Sequence, residues 1–168
     1  MEQLIAYKNQ APFDRKVFSL SIPNLESFPS HLELPSQHFV LFLACDAKGI
    51  DIDIIWNFAN LMIAKRVAYL CAWGEDCERV HDIFDEALVL REIEENQTYP
   101  HVMTSWHTDD SLDEALRFML YSAYPDDELT NTCGVVLVVS VANEEWKAHI
   151  QKRLSNIELL NAEYLREG

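Results

Sequence analysis

The sequence predicts an α/β fold of the three-layer, Rossmann-like or flavodoxin-like type, in which helices cover both faces of a mainly parallel sheet of four or five strands. After residue 38, apolar runs too short for helices alternate with segments of helical period, which is the pattern of successive βαβ units. Residues 134–141 contain the run VVLVVSV, and continuous apolarity is typical of a strand covered on both faces. The length of 168 residues suits one domain. We therefore expect a single α/β domain over residues 1–168.

Residues 1–37 form the irregular part of the chain. Prolines interrupt this part at positions 12, 23, 29 and 35. A short alternating run at 17–22 places Phe18, Leu20 and Ile22 on one side and two serines on the other, which fits a half-buried strand. Proline lacks the N–H that a central strand needs, so we expect an N-terminal arm with one strand at the edge of the sheet.

Four βα units follow over residues 38–168. The first two strands are predicted at 39–45 and 67–73, where apolar residues run together. The helix after the first strand combines an apolar stripe with acidic residues in its first turn, where they interact favourably with the helix dipole. The helix after the second strand is predicted to begin near Asp76. Its apolar residues recur at helical spacing, at positions 80, 83, 84, 87 and 88.

Capping signals mark the last two units. The third strand is predicted at 102–106, and Ser111 with Glu114 then forms the S-x-x-E pattern of a capping box at the start of a helix. The fourth strand is predicted at 134–141, and Asn143 behind it can cap a final helix. The apolar stripe of that helix runs through positions 146, 150, 154 and 157. We expect this last helix to be continuous.

The chain is strongly acidic. Thirteen Lys and Arg stand against twenty-eight Asp and Glu, which gives a formal net charge of −15. Such a field repels phosphate backbones and anionic lipid headgroups, so we expect neither nucleic acid nor a membrane surface as a partner. The same field would speed the encounter with a basic protein, although surplus carboxylates also simply keep a domain soluble.

The sequence favours a cytoplasmic protein. The first ten residues contain charged side chains and no apolar run of signal-peptide length, and no apolar stretch reaches the ~20 residues that span a bilayer. The cysteines lie in or beside apolar runs, which suits reduced core thiols better than a disulfide framework. They are Cys45, Cys71, Cys77 and Cys133.

Glycine is scarce, which argues against several classes of ligand site. The chain has only four glycines, whereas phosphate cradles need residues without a Cβ so that backbone amides can approach the anion. The sequence contains no G-x-G-x-x-G, no G-x-x-x-x-G-K-[ST] and no G-x-S-x-G. Dinucleotide, P-loop and nucleophile-elbow functions therefore lose their main support, and we expect no cofactor.

Acidic and histidine side chains follow the predicted strands, at the edge where ligands of parallel α/β sheets bind. Asp46, Asp76 and Asp109 could hold Mg²⁺, with His107 as an acid or base, in a divalent-metal-dependent hydrolase acting on a phosphate ester. Asp76, Asp109 and Asp110 also stand where acidic residues cap helices, and only Asp46 lacks an obvious structural role. The catalytic candidates on this hypothesis are Asp46, His107 and Asp109.

A zinc site is an alternative at the same edge. Cys77 and His81 lie four residues apart on one face of a predicted helix, and with Cys45 or His107 they could complete a zinc site. The sequence contains no C-x-x-C pair to support it, and a small buried thiol beside a surface imidazole explains the same spacing. Near a helix N-terminus, Cys77 could also serve as a nucleophile with a lowered pKa.

Tryptophans stand among these carboxylates. Trp73, Glu75, Asp76, Trp106 and Asp110 form a candidate binding surface, because aromatic residues anchor interfaces and carboxylates attract Arg and Lys. Our first hypothesis is therefore an acidic protein-binding module of the immunity or antitoxin type, which inhibits a basic partner, rather than an enzyme. A small-molecule sensor whose pocket is floored by the two tryptophans is a further alternative.

Two segments carry a resemblance to a known family. WGEDCERVHDIFDE at 73–86 and WHTDDSLDEAL at 106–116 are similar to a family of short, uncharacterised bacterial α/β domains. The resemblance covers about the middle half of the chain, and the irregular first third lies outside it. It implies a bacterial origin and suggests that these two segments matter, and it carries over no catalytic assignment.

Overall fold

The computed structural model describes residues 3–8 and 11–167, and in these ranges no helix is long and apolar enough to cross a membrane. The strands are β1 (Ile5–Ala6), β2 (Lys16–Ile22), β3 (His38–Ala44), β4 (Val67–Trp73), β5 (Met103–Trp106) and β6 (Cys133–Val141). The α-helices are α1 (Ile52–Ala64), α2 (Cys77–Glu95), α3 (Leu112–Tyr121), α4 (Asp127–Thr130), α5 (Glu144–Leu154) and α6 (Ile157–Glu167).

The strands form one mostly parallel sheet in the order β1-β2-β6-β3-β4-β5. Among the described strands, only β1 runs antiparallel to its neighbour. Helices α1 and α2 and the turn Leu25–Ser27 pack on one face, whereas α3, α5 and α6 pack on the other. The predicted three-layer α/β fold is confirmed. The described sheet has six strands rather than the predicted four or five, because the two-residue β1 is too short to give an alternating pattern in the sequence.

The central strands β3 and β6 are the most deeply buried. Val40, Leu41 and Phe42 of β3 and Val136 of β6 are all 0% exposed. Consecutive residues of a strand point to opposite faces, so each of these strands contributes to the apolar layer under both sets of helices. This two-sided burial is the physical reason for the continuous apolar run at 134–141.

The prediction of an edge strand at 17–22 is wrong. β2 pairs with β6 on one side and with the short β1 on the other. The chain reverses between β1 and β2 through Phe13 and Asp14, both at positive φ, a turn for which the sequence contains no glycine signal. Ser19 lies on the face opposite the apolar residues, and its Oγ stands 2.6 Å from the hydroxyl of Tyr7. This hydrogen bond satisfies a serine that is only 5% exposed.

The predicted capping signals are confirmed. The Ser111 hydroxyl accepts a hydrogen bond of 3.1 Å from the N–H of Glu114, and the Glu114 carboxylate accepts one of 2.7 Å from the N–H of Ser111. Asn143 caps α5 by accepting a hydrogen bond of 3.0 Å from the N–H of Trp146. Local sequence therefore determines where α3 and α5 begin.

The prediction of one continuous final helix is wrong. α5 ends at Leu154, and α6 begins at Ile157. The side chain of Asn156 accepts a hydrogen bond of 3.1 Å from the N–H of Leu159, which starts a new helix at this point. The apolar stripe continues across the break, because Leu154 and Ile157 are both buried in the same layer.

Candidate functional site

The loops after β3 and β4 meet at the carboxyl edge of the sheet. The N–H of Cys45 donates to the carbonyl of Trp73 at 3.0 Å, and the N–H of Ala47 donates to the carbonyl of Glu75 at 2.8 Å. Gly74 lies between these bonds at φ +118°, and a Cβ on it would stand 2.2 Å from the carbonyl oxygen of Cys45. The close approach of the two loops therefore requires glycine.

Asp46 has a structural role that the sequence did not predict. Its Oδ1 accepts a hydrogen bond of 2.9 Å from the backbone N–H of Glu75. The Glu75 carboxylate lies 3.2 Å from the Lys48 ammonium group in an exposed ion pair. Burial raises the pKa of the neighbouring Cys45 thiol to about 12, and the charge of Asp46 adds to this shift. Asp46 is thus a fixed hydrogen-bond acceptor between the two loops.

Asp76 precedes α2 but does not cap it through its side chain. It adopts a left-handed conformation at φ 62°, and its carboxylate makes no capping hydrogen bond. The carboxylate instead lies 3.8 Å from the guanidinium of Arg79. Arg79 donates across the edge to the carbonyls of Ala47 and Ile50, at 3.0 and 2.6 Å. The capping interpretation of Asp76 is wrong because its carboxylate is directed to Arg79.

His107 is the centre of a polar network after β5. The residue is only 7% exposed. Its Nε2 lies 3.0 Å from the Oγ of Ser105, and its Nδ1 lies 2.8 Å from the Oδ2 of Asp110. The ring of Phe118 on α3 packs on the imidazole, with 4.6 Å between the ring centroids. The carboxylate of Asp110 is therefore a partner of His107 rather than the cap of α3, which is provided by Ser111.

Ser105, His107 and Asp110 stand in the order of a hydroxyl nucleophile, its base and the group that orients the base. Sequence reasoning missed Ser105, although its place two residues before His107 was the signal that both lie on one side of the sheet. The Ser105 hydroxyl also acts to lower the pKa of Tyr69 and Cys71, two residues of the apolar layer under α3, although burial raises both pKa values overall. We interpret the network as structural, because Ser105 and Asp110 satisfy the two ring nitrogens of a buried imidazole.

The predicted metal ligands are not brought together. Among the residues that the structure describes, no group of three or more His, Cys, Asp and Glu side chains could hold a metal ion. The carboxylates of Asp46 and Asp76 have the partners given above, and Asp109 is exposed in the loop before α3. Cys77 is 1% exposed, and its Sγ faces the hydroxyl of Thr108 at 3.7 Å. Neither the carboxylate site nor the zinc site is assembled by this fold.

Trp73 and Trp106 do not floor one pocket. In the register of β4 and β5, Trp106 pairs with Ala72, so the adjacent Trp73 points to the opposite face. Trp73 packs against Trp146 with 4.9 Å between ring centroids, and its Nε1–H donates to the carbonyl of Asp110 at 2.8 Å. Trp106 is 44% exposed on the other side. The shared tryptophan pocket of the sensor hypothesis is therefore wrong.

Trp106 forms an exposed surface with residues of α2. Its ring lies 4.3 Å from the imidazole of His81, between centroids. The ring nitrogens of His81 lie 3.0 Å from a carboxylate oxygen of Asp82 and 3.3 Å from one of Asp85. The His81 side chain is only 13% exposed, so it is not the surface imidazole that the sequence suggested. We call His81, Asp82, Asp85 and Trp106 together the Trp106 surface.

Comparison with known families matches residues 19–157 to one family, described as Domain of unknown function (DUF7684). The matched region contains both segments that carry the resemblance, 73–86 and 106–116, and it begins within the first third of the chain, which was expected to lie outside. Comparison with curated proteins gives no match. Because the family match covers most of the sequence, the chain belongs to the DUF7684 family of domains of unknown function.

Proposed function

We propose that the protein is an acidic protein-binding module that holds a basic partner protein at the carboxyl edge of its sheet. The observation that carries the proposal is the Trp106 surface, on which an exposed tryptophan is fixed among carboxylates. By analogy with immunity proteins and antitoxins, the size and charge of the chain suit an inhibitor of a basic partner.

Trp106 has the properties of an interface anchor. Because it is 44% exposed, binding would remove a large part of an apolar ring from water. The contact with His81 holds the ring in place, so little side-chain freedom remains to be lost on binding. Tryptophan is also enriched among the few residues that dominate the binding energy of protein interfaces.

The carboxylates around Trp106 supply the charge for a basic partner. The side chains of Asp82 and Asp85, which contact His81 beside Trp106, are 63% and 47% exposed, and Asp110 in the loop after β5 is 40% exposed. Glu75 and Asp76 add two further exposed carboxylates along the same edge, each beside a cation of this chain, Lys48 and Arg79. Together with the net charge of −15, they steer a basic protein toward this edge and repel an acidic one.

Strand β5 places backbone groups beside this surface. It ends the strand order and pairs with β4 alone among the described strands. An edge strand presents N–H and C=O groups that a partner segment can use by strand addition. The partner that fits this surface is therefore a basic protein with an extended segment or an apolar cleft for Trp106.

The test is binding of purified basic proteins encoded beside the gene of this protein, measured by calorimetry at low and high salt. Lysozyme and cytochrome c serve as basic proteins of unrelated function. We expect one candidate to bind with fixed stoichiometry, and Trp106→Ala to weaken binding about thirtyfold, as for an interface hot spot. Tyr164→Ala is the matched control, because Tyr164 is equally exposed on α6 at 44%.

Two outcomes contradict the proposal. One is binding of the candidate by the Trp106→Ala variant with the affinity of the parent. The other is binding of lysozyme or cytochrome c as tightly as every candidate, since this would reduce the interaction to unspecific charge attraction. Weakening of the complex by salt is expected in addition, because the carboxylates of this edge are exposed.

A further inference from the structure

A cavity lies at the point where the helical connections change from one face of the sheet to the other. β6 is inserted between β2 and β3, and the helix after β3 packs on one face whereas the helix after β6 packs on the other. The two chain segments therefore diverge at the carboxyl ends of these strands, which is where open α/β sheets bind ligands. A cavity of about 440 Å³ is present there, between the loops after β2, β3 and β6.

The cavity is lined by negative charge. Glu26, Asp46 and Asp51 contribute to its wall, and none of its described lining residues is Lys, Arg or His. Asp46 uses one oxygen for the N–H of Glu75, and Asp51 uses one for the N–H of Asp53 at 2.8 Å. The second oxygen of each carboxylate has no hydrogen-bond partner among the described residues and can contact a ligand.

Two helices begin at this cavity, and their dipoles alone would favour an anion. A helix N-terminus carries about +0.5 of a charge, so α1 and α5 together contribute about +1. The carboxylates of Glu26, Asp46 and Asp51 outweigh this with three formal negative charges, and the nearby cations Lys48 and Arg79 are paired with Glu75 and Asp76. Asp51 and Asn143 also cap the two helices through their side chains, so that they occupy backbone N–H groups that would otherwise hold an anion. The resulting field selects a cation.

Trp146 gives the cavity an aromatic wall. The cap by Asn143 fixes the first turn of α5, and the edge-on contact with Trp73 holds the indole in place. An indole face attracts guanidinium and ammonium groups within about 6 Å. Ile54 and Val141 supply apolar surface in the same cavity, which suits the carbon chain of a ligand. A bare metal ion would not use these walls, and the described carboxylates form no three-ligand metal group.

We propose that this cavity binds a small organic cation, with a guanidinium or ammonium group at Glu26, Asp46 and Asp51 and with the apolar part of the ligand beside Trp146. The volume of about 440 Å³ is within the range of small-molecule sites, about 300–1,000 Å³. The same chemistry is offered by a free amine or guanidine and by an arginine side chain of a partner. The site is separate from the Trp106 surface, because β5 lies two strand spacings, about 10 Å, from β3.

The first experiment titrates agmatine into the parent protein by calorimetry, with tryptophan fluorescence as a second readout and glutarate as the anionic control. We expect one agmatine per chain. Asp46→Asn and Asp51→Asn should each weaken binding about two- to fivefold, because each removes one charge and keeps a side-chain acceptor. Trp146→Leu should weaken it about two- to tenfold. Asp53→Asn is the matched control, since Asp53 is an exposed carboxylate of α1 outside the cavity.

The second experiment identifies the source of the cation with the peptide acetyl-Gly-Arg-Gly-amide. Binding of agmatine supports a free ligand, whereas binding of the peptide alone assigns the cavity to the side chain of a partner. No saturable binding of either probe, or the same affinity in Asp46→Asn as in the parent, overturns the proposal. Trp106→Ala should leave agmatine binding unchanged, so this site and the proposed partner surface can fail separately.

Discussion

The carboxylate of Asp46 accepts a hydrogen bond of 2.9 Å from the backbone N–H of Glu75, and this bond joins the loops that follow β3 and β4. A backbone bond from Ala47 to the carbonyl of Glu75 runs beside it at 2.8 Å. The same carboxylate lines the cavity at the carboxyl ends of β2, β3 and β6. Asp46 therefore connects the packing of two loops with the candidate cation site.

Replacing Asp46 should separate its structural role from its charge. Asp46→Ala leaves the N–H of Glu75 without this acceptor, and we expect it to lower the free energy of unfolding by about 1 kcal/mol. Asp46→Asn retains a carbonyl acceptor and should cost about half as much or less. Urea unfolding of both variants measures the difference. Equal stability of the alanine variant and the parent would contradict the role of this bond.

Gly74 should tolerate no side chain. A Cβ would stand 2.2 Å from the carbonyl oxygen of Cys45, and φ +118° is a conformation that L-residues rarely adopt. We expect Gly74→Ala to destabilise the fold by about 3 kcal/mol or more. Gly49→Ala is the matched control, because Gly49 also has positive φ but no described atom outside residues 48–50 lies within 4 Å of its Cβ position. The control should cost only about 1–2 kcal/mol. If both variants lost a similar amount of stability, the positive φ of the glycine, and not the close contact with Cys45, would explain the destabilisation.

Asp113 links α3 to α5. Its carboxylate accepts hydrogen bonds of 2.6 and 3.0 Å from the guanidinium of Arg153 and one of 2.6 Å from the Nε2 of His149. Partial burial alone would raise the pKa of Asp113, but the hydrogen bonds and charges of Arg153 and His149 outweigh it and hold the pKa below its ordinary value of 3.8. The ionised carboxylate thus stabilises the contact between the two helices.

This lowered pKa predicts a pH dependence. Because the unfolded chain binds the proton more tightly, the contribution of Asp113 is fully present above the ordinary pKa of 3.8 and is lost as the pH falls through the lower pKa of the folded state. Asp113→Asn should reduce stability by about 1 kcal/mol at neutral pH, and its difference from the parent should shrink in acid. Thermal unfolding of both proteins, from neutral pH down into acid, measures this difference in stability. Asp109→Asn, at an exposed position, should differ little from the parent at any pH. If Asp113→Asn stayed less stable than the parent by the same amount down to strong acid, the predicted link between stability and ionisation of Asp113 would be wrong.

The cysteine thiols should be inert in the folded protein. All four are buried, and burial is the main cause that raises the pKa of Cys45 and Cys71 to about 12 and that of Cys133 to about 11. A rise from 9.0 to about 12 lowers the thiolate fraction at mildly alkaline pH about a thousandfold. An aromatic disulfide reagent should therefore label native protein very slowly, and four thiols per chain at once in denaturant. Rapid labelling of Cys77 in the native state would instead support the prediction that Cys77 is a nucleophile.

Much of the fold follows from local patterns. The apolar run at 134–141 predicts a strand buried on both faces, and β6 is such a strand because α-helices cover both sides of it. Ser111, Glu114 and Asn143 predict helix starts, because each capping bond joins residues only three positions apart. The position of β2 inside the sheet was not predictable in this way, because the strand that covers it, β1, has only two residues and is too short to show an alternating pattern.

The candidate sites likewise combine features that follow from the local sequence with features that depend on the tertiary structure. The sequence indicated that Asp46 and His107 follow strands, that Trp106 ends one and that the edge is acidic, since these facts depend only on order along the chain. It did not indicate that Asp46 contacts Glu75 or that Trp73 and Trp106 face opposite sides. Those facts depend on the register between neighbouring strands.

By itself, the sequence determined the fold class, the alternation of strands and helices, the acidic charge and the helix caps, because periodicity and capping act over a few residues. Only the tertiary structure decided the strand order, the inner position of β2 and the grouping of Glu26, Asp46, Asp51 and Trp146 around one cavity. These residues come from three separate segments, namely the turn after β2, the loop between β3 and α1, and helix α5. Their meeting depends on how helices pack on the two faces and where β6 enters the sheet, and such long-range packing has no local signature in the sequence.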